Sequence, residues 1–230
     1  MFGFGYDSLS DSYKVIIVHF KNSKNYVSIE SEVNVYDKRH NCWRNIQNFP
    51  GFNVHTHNPG IYLNGTINWL AISDLDNYWD SPLYIVSLNL GNETYTKLSL
   101  PSCFDQVLRV SRTKPCLGIL KDRLCFSYDD VAKTHFVLWQ MNEYGVENSW
   151  TQLLKFSYQA PQIDCTTQEY CILPPLGTLK NDHLILIESV DDRLQATILS
   201  KKEGNAKIPM NMLWLYTRDY VPSLISPSQN

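Results

Sequence analysis

Two markers recur along this chain at one shared spacing, and that spacing narrows the available folds more than any other feature of the sequence. The first marker is a hairpin. It reads Leu63-Asn64-Gly65-Thr66-Ile67, then Leu120-Lys121-Asp122-Arg123-Leu124, then Leu179-Lys180-Asn181-Asp182-His183-Leu184. Each copy is an apolar strand end, a tight polar turn and an apolar restart. Asn-Gly is the strongest short hairpin signal because both central residues of a type I′ turn need positive φ, and Asp and Asn tolerate that region less well than Gly. The flanking residues predict strands over 61–63 and 67–71, 117–120 and 124–128, and 184–187.

The second marker is an apolar strand, a polar loop, and an aromatic that opens another short strand. It runs from Val33-Asn34-Val35-Tyr36 to Trp43-Arg44-Asn45-Ile46, from Ile85-Val86-Ser87-Leu88 to Tyr95-Thr96-Lys97-Leu98, and from Val137-Leu138-Trp139 to Trp150-Thr151-Gln152-Leu153. The aromatics stand at 43, 95 and 150, steps of 52 and 55, and the hairpin leucines at 63, 120 and 179, steps of 57 and 59. Kelch-like propeller blades repeat every ~50 residues. The reading is therefore an all-β chain, a kelch-like β-propeller or partial propeller of about four antiparallel blades. A blade alone cannot bury both of its faces, so blades stack, and the recurring aromatic is expected to pack between them. A plain sandwich core needs no repeat, and the shared period favours blades.

A degenerate fourth copy of the second marker is expected between Leu213 and Tyr220, and residues 107–113 are at most a short turn. The chain opens at Phe4-Gly5-Tyr6-Asp7 and Asp11-Ser12-Tyr13-Lys14-Val15, already inside a strand–turn–strand unit, so an open ring or a fragment missing repeats is expected. The domain is placed at 1–222, followed by a polar tail over 223–230 that frays.

Composition excludes several classes of function. Aromatics make up 13% of the chain, which leans toward strands, and the formal net charge is -3. The adjacent basic pairs Lys38-Arg39 and Lys201-Lys202 do not make a nucleic-acid footprint. No apolar run has the length of a membrane span, and the start carries no basic region followed by an apolar one. Neither nucleic acid nor membrane is expected as a partner, and cytoplasm or nucleus is the expected location. The six cysteines (Cys42, Cys103, Cys116, Cys125, Cys165, Cys171) have no C-x-x-C spacing and read as buried free thiols. The Asn-x-Thr sequons at Asn64 and Asn92 read as turn chemistry.

Signals for chemistry are weak. His55-Thr56-His57 puts two imidazoles on one face of an extended stretch, but no third ligand lies nearby in sequence, so a solvated loop is the reading and no metal is expected. There is no G-x-S-x-G elbow, and Gly3-Phe4-Gly5 lacks the third glycine and helix of a dinucleotide loop, leaving an ordinary strand glycine pair. No catalytic residue and no cofactor are assigned. The best non-repeat segment is Ser73 to Pro82, an insertion that carries Asp74, Asp76, Tyr78, Trp79 and Asp80. Tyr and Trp give large contact area at small entropic cost, so these five are the candidate protein-binding residues. The stretch from Gln159 to Leu173, with Cys165, Glu169, Tyr170 and Cys171, is a weaker second candidate.

An ordered series of motifs resembles the F-box-associated interaction domain of the plant F-box and F-box/kelch proteins. It comprises the opening Phe2-Gly3-Phe4-Gly5-Tyr6-Asp7, Asp11 to Val15, Val35-Tyr36 through Trp43-Arg44, and Gly60 to Leu70. It continues with Leu117 to Cys125, Trp139 to Val146 leading to Ser149-Trp150-Thr151, and Tyr220 to Ser226. The resemblance implies the target-capturing part of an SCF-type E3 ubiquitin ligase receptor, whose partner is a protein destined for ubiquitination. In that family a helical F-box docks the Skp adaptor. No such segment precedes Phe2 here, so the adaptor is expected as a partner only if an F-box lies upstream. Two readings of other classes stand beside it. A propeller hydrolase or lyase requires convergent His, Asp or Glu around a central pocket, and a carbohydrate-binding β domain requires exposed aromatics along a shallow groove.

Overall fold

The computed structural model of the chain describes residues 1–22, 29–53, 59–73, 81–102, 115–129, 135–157, 171–178, 184–190, 193–200 and 204–207, and from residue 156 onward the backbone alone. Its strands form four antiparallel sheets that succeed one another along the sequence. The first contains β1 (Phe2–Asp7), β2 (Ser12–Asn22), β3 (Ile29–Asp37) and β4 (Cys42–Ile46). The second contains β5 (Phe52–Asn53), β6 (Ile61–Leu63), β7 (Thr66–Ile72), β8 (Leu83–Asn89) and β9 (Tyr95–Leu98). The third is β10 (Cys116–Leu120), β11 (Arg123–Asp129), β12 (His135–Met141) and β13 (Trp150–Ser157). The fourth is β14 (Cys171–Thr178), β15 (Leu184–Val190), β16 (Arg193–Ser200) and β17 (Gly204–Lys207).

Each sheet is a meander whose spatial order matches its order in sequence. In the second sheet β5 pairs with Ala71 and Ile72, and β6 pairs with Thr66 to Asn68, so both lie on one edge of β7 as a single interrupted first strand. The first strands are successive neighbours: β1 lies beside β6, β6 beside β10, and β10 beside β14. Four-stranded meanders that meet through their first strands are propeller blades, with those strands innermost.

Burial follows from stacking. β7, in the second blade, is buried at every position, as a central strand covered on both faces must be. One apolar core joins the first and second blades through Ile16, Val18, Val33, Val35, Ile67, Trp69, Val86 and Leu88. A second joins the second and third through Leu70, Ile85, Leu98, Leu117, Phe126, Val137, Met141 and Trp150.

Both turns of the hairpin marker that are described have the expected backbone. Asn64 and Gly65 have φ of 45° and 78°, and Lys121 and Asp122 have 51° and 55°, so even a lysine is held in the left-handed region. The Phe-Gly-Phe-Gly opening is more than an ordinary strand pair. Gly3 and Gly5 face the second blade, where a Cβ on Gly5 would overlap Tyr62 and come within 2.7 Å of Leu90 Cδ1. Near the axis the blades converge, and only a missing side chain lets β1 approach that closely.

The fourth blade departs from expectation in one respect. Its second hairpin is β16–β17, over 193–200 and 204–207, where no aromatic marks the fourth strand. Residues 107–113 and 213–220 lie outside the described residues.

Candidate functional site

The meander topology gives the stack two unlike ends. At one end lie the connections between first and second and between third and fourth strands: residues 8–11, 38–41, 64–65, 90–94, 121–122 and 142–149. All are short. The strand ends that lead into the longest connections, 73–82, 99–115 and 158–170, lie at the opposite end, together with those that lead from β2 to β3 and from β11 to β12. Long connections on a rigid scaffold are where recognition residues are carried.

The short-turn end is closed by charge. The Lys14 ammonium, only 3% exposed, lies 2.9 Å from Asp7 Oδ2 and 3.2 Å from Glu93 Oε1, and donates to Leu90 O at 2.5 Å. Glu93, in the β8–β9 turn, also accepts from Arg44 of β4, so the second blade clasps the first through two cations. Asp37 anchors the β3–β4 turn. Ser12 Oγ donates to its Oδ1 at 2.6 Å, the Arg39 amide at 2.9 Å, and His40 Nδ1 lies 2.9 Å from its Oδ2. Burial alone would raise the Asp37 carboxyl, but the hydrogen bonds from Ser12, His40 and the turn amides outweigh it and hold the pKa well below the usual carboxylate range. Asp7 behaves alike: burial pushes it up, and Ser10, Lys14 and the Leu9 amide bring it down further.

A second clasp joins the third blade to the second at the same end. Tyr144, in the β12–β13 turn, donates to Asn68 Oδ1 at 2.7 Å, and its hydroxyl lies 2.6 Å from Ser87 Oγ and 3.0 Å from Thr66 Oγ1. The third-to-fourth-strand turn thus reaches back to the preceding blade in both cases. The marker aromatics follow the same rule. Tyr95 packs against the core shared with the first blade, and Trp150 is buried against the second, donating to Ser99 O at 3.0 Å. Trp43, their counterpart in the first blade, is 53% exposed.

The sequence-derived binding residues Asp74, Asp76, Tyr78, Trp79 and Asp80 lie outside the described residues, as do His55, His57, Cys103, Cys165, Glu169 and Tyr170. The stem of the candidate loop is defined: Ile72 pairs with Leu83, and the Ser73 amide donates to Ser81 Oγ at 3.2 Å. The insertion therefore leaves from the long-connection end on a closed base. The sequence missed the charged clasp. Its members are scattered over positions 7, 14, 37, 44 and 93, and no local pattern joins them. The acids that do converge among the described residues are neutralised by Lys14 and Arg44 at a blade seam, an arrangement suited to holding blades together.

Of the cysteines whose side chains are described, Cys125 is a buried free thiol, pushed up to about 12 by burial against a weaker opposing bond from Gln140. Cys42 is exposed, which corrects the expectation for that position: it opens edge strand β4 beside the β3–β4 turn. Both sequons serve turns, Asn64 through its positive φ and Asn92 by accepting from the Thr94 amide and hydroxyl.

A family model described as the F-box associated beta propeller domain matches residues 1–227. An F-box/kelch-repeat protein of Arabidopsis thaliana is 29% identical over 158 residues, covering 66% of this chain and 39% of that protein. A putative F-box protein of the same plant is 26% identical over 239 residues, covering 100% of this chain and 60% of its own length. The chain thus spans about half the length of these relatives. Among solved structures, an exo-β-1,3-galactanase from Clostridium thermocellum superposes with a TM-score of 0.45 at 12% identity, covering 89% of this chain and 47% of that one.

Proposed function

The chain belongs to the F-box associated β-propeller family, and we propose that it captures a target protein for an SCF-type ubiquitin ligase, without chemistry of its own. The family match over residues 1–227 carries this reading. The geometry supports it: clasps tie the blades at the short-turn end, and the long connections share the other end. Target contact is assigned to that end, with Asp74, Asp76, Tyr78, Trp79 and Asp80 of the β7–β8 insertion as the contact residues. Tyr and Trp there would serve as rigid anchors and the three acids as a polar rim that favours a basic patch on the target. In a product carrying an F-box, the Skp adaptor would dock on that segment, and the pair would act in the cytoplasm or nucleus.

The test is to fuse the chain to an F-box and express it in plant cells, then measure which proteins fall in abundance and recover on proteasome inhibition. The Trp79→Ala and Tyr78→Ala forms are run in parallel. A set of proteins lost with the parent fusion and spared with the loop variants is expected. An identical set with the variants removes the insertion from the site, and the absence of any proteasome-dependent loss overturns the ligase role.

A further inference from the structure

The seams on either side of the second blade are fastened by different chemistry. Between the first and second blades the fastening is charged. The Lys14 ammonium of β2 lies 2.9 Å from Asp7 of β1 and 3.2 Å from Glu93 of the β8–β9 turn, and Glu93 also accepts from Arg44 of β4. Arg44 in turn lies 3.8 Å from Asp37 of β3, and the exposed His40 is 2.9 Å from the same carboxylate oxygen. Tyr95 is the phenol next to Glu93 on the second blade, and burial raises its pKa. Between the second and third blades the clasp is made of neutral groups. The Tyr144 hydroxyl meets Asn68, Ser87 and Thr66, and the Trp150 indole donates to Ser99 O. Hydroxyl, amide and indole groups gain no charge in acid.

Acid therefore acts on one seam and spares the other. Protonating Asp7, Asp37 and Glu93 leaves Arg44 and Lys14, the latter only 3% exposed, without counter-charge. A buried cation that has lost its partner is costly until water reaches it. Against burial, hydrogen bonds hold the Asp7 and Asp37 carboxyls below their ordinary value in the closed seam. The closed form is thus favoured above the ordinary carboxylate range and weakened as pH falls through it. The far end of the same seam is pinned by apolar contact. Phe20 packs on Phe49 and on Phe52 of the second blade, Tyr84 donates to Pro50 O at 2.8 Å, and the chain itself crosses there from β4 to β5 over residues 47–51. Relief comes most cheaply at the short-turn end, with that crossing as the hinge.

We propose that the seam between the first and second blades is an acid-sensitive latch, which parts at its short-turn end as pH falls through the carboxylate range while the second and third blades stay joined. Lys14 is the group that drives it, because it alone among the latch cations is closed off from water. The device is independent of target capture, since its readout is the entry of solvent at one seam.

Hydroxyl-radical footprinting of the full chain at pH 7 and about pH 3, mapped by mass spectrometry, tests it. Leu90 and Tyr95 report on the first seam, and Met141 and Trp150, which are intrinsically the more readily oxidised pair, report on the second. Oxidation of Leu90 and Tyr95 is expected to rise about tenfold in acid, with Met141 and Trp150 unchanged. A rise at all four residues together would mean general unfolding, and no rise at Leu90 and Tyr95 would mean that the seam holds without its charges; either overturns the latch. In parallel, the neutral seam Asp7→Asn, Lys14→Met and Glu93→Gln should lose the rise at Leu90 and Tyr95. A variant that folds and keeps the rise also overturns the proposal. If it fails to fold, the contrast between the two seams of the parent chain decides.

Discussion

Lys14 of β2 lies 3.2 Å from Glu93, a residue of the turn between β8 and β9, so a buried ammonium of the first blade is held by a carboxylate of the second. The same ammonium is 2.9 Å from Asp7. Replacing Lys14 by Met keeps the volume of the stem and strands Asp7 without its cation. Breaking a buried pair from one side costs about 3–5 kcal/mol, most of it the uncompensated charge. Lys14→Met is expected to lower the urea-unfolding free energy by that amount, and adding Asp7→Asn to restore much of it. Equal instability in the single and double variants would show that Lys14 acts through packing.

Asp37 and Asp7 predict acid sensitivity. Both have folded-state pKa values below the ordinary 3.8, because the hydrogen bonds they accept outweigh burial. A carboxyl with a depressed folded value adds stability above its unfolded pKa and loses it as pH falls through that value toward the folded one. Stability is expected to hold at neutral pH and to drop between about pH 5 and pH 3, with Asp37→Asn less stable at neutrality but flatter across that window. Melting curves across the range check it, and parallel curves for parent and variant would count against Asp37.

Gly5 makes a steric prediction. A Cβ there meets Tyr62 and Leu90 of the second blade, and both belong to the packed seam. Overpacking a core usually costs about 1–3 kcal/mol, so Gly5→Ala should fall in that range. Gly65→Ala has open space for its Cβ but sits at φ 78°, and should cost about 1 kcal/mol through backbone strain alone. Tyr62→Ala, by making room, should reduce the cost of Gly5→Ala and leave that of Gly65→Ala untouched.

Much of the fold was legible because the repeat is written in local chemistry. Asn64-Gly65 and Lys121-Asp122 specify mirror turns, and Tyr95 and Trp150 each open a fourth strand while Trp43 is the second residue of one. The fourth blade was only half legible, because β17 reads Gly204-Asn205-Ala206-Lys207 and carries no aromatic to mark it. The interruption of the second blade's first strand was hidden as well, since β5 is two residues long and its pairing with Ala71 and Ile72 depends on a partner about twenty residues away. Seams were least legible of all. Lys14 and Glu93 are ordinary charged residues in sequence, and only blade stacking brings them together. The candidate binding residues were read from the aromatics and acids of an insertion that breaks the period, and they lie outside the described residues.

Two tyrosines give opposite predictions for one substitution. Tyr144 places its hydroxyl against Asn68, Ser87 and Thr66 across the seam of the second and third blades, and Asn68 is fully buried. Tyr144→Phe leaves the buried Asn68 carbonyl without that donor, a loss of about 1–3 kcal/mol. Tyr95 sits at the seam of the first and second blades, packed edge-on to Phe49, and its buried hydroxyl has no hydrogen-bond partner among the described residues. Burial also pushes its pKa upward, as expected for a phenol that cannot ionise there. Tyr95→Phe therefore removes a desolvated hydroxyl and keeps the ring, and should be neutral or stabilising by up to about 1 kcal/mol. Urea denaturation of both variants, with an unchanged slope, measures the pair. A loss from Tyr95→Phe as large as that from Tyr144→Phe would mean that the Tyr95 hydroxyl is bonded after all.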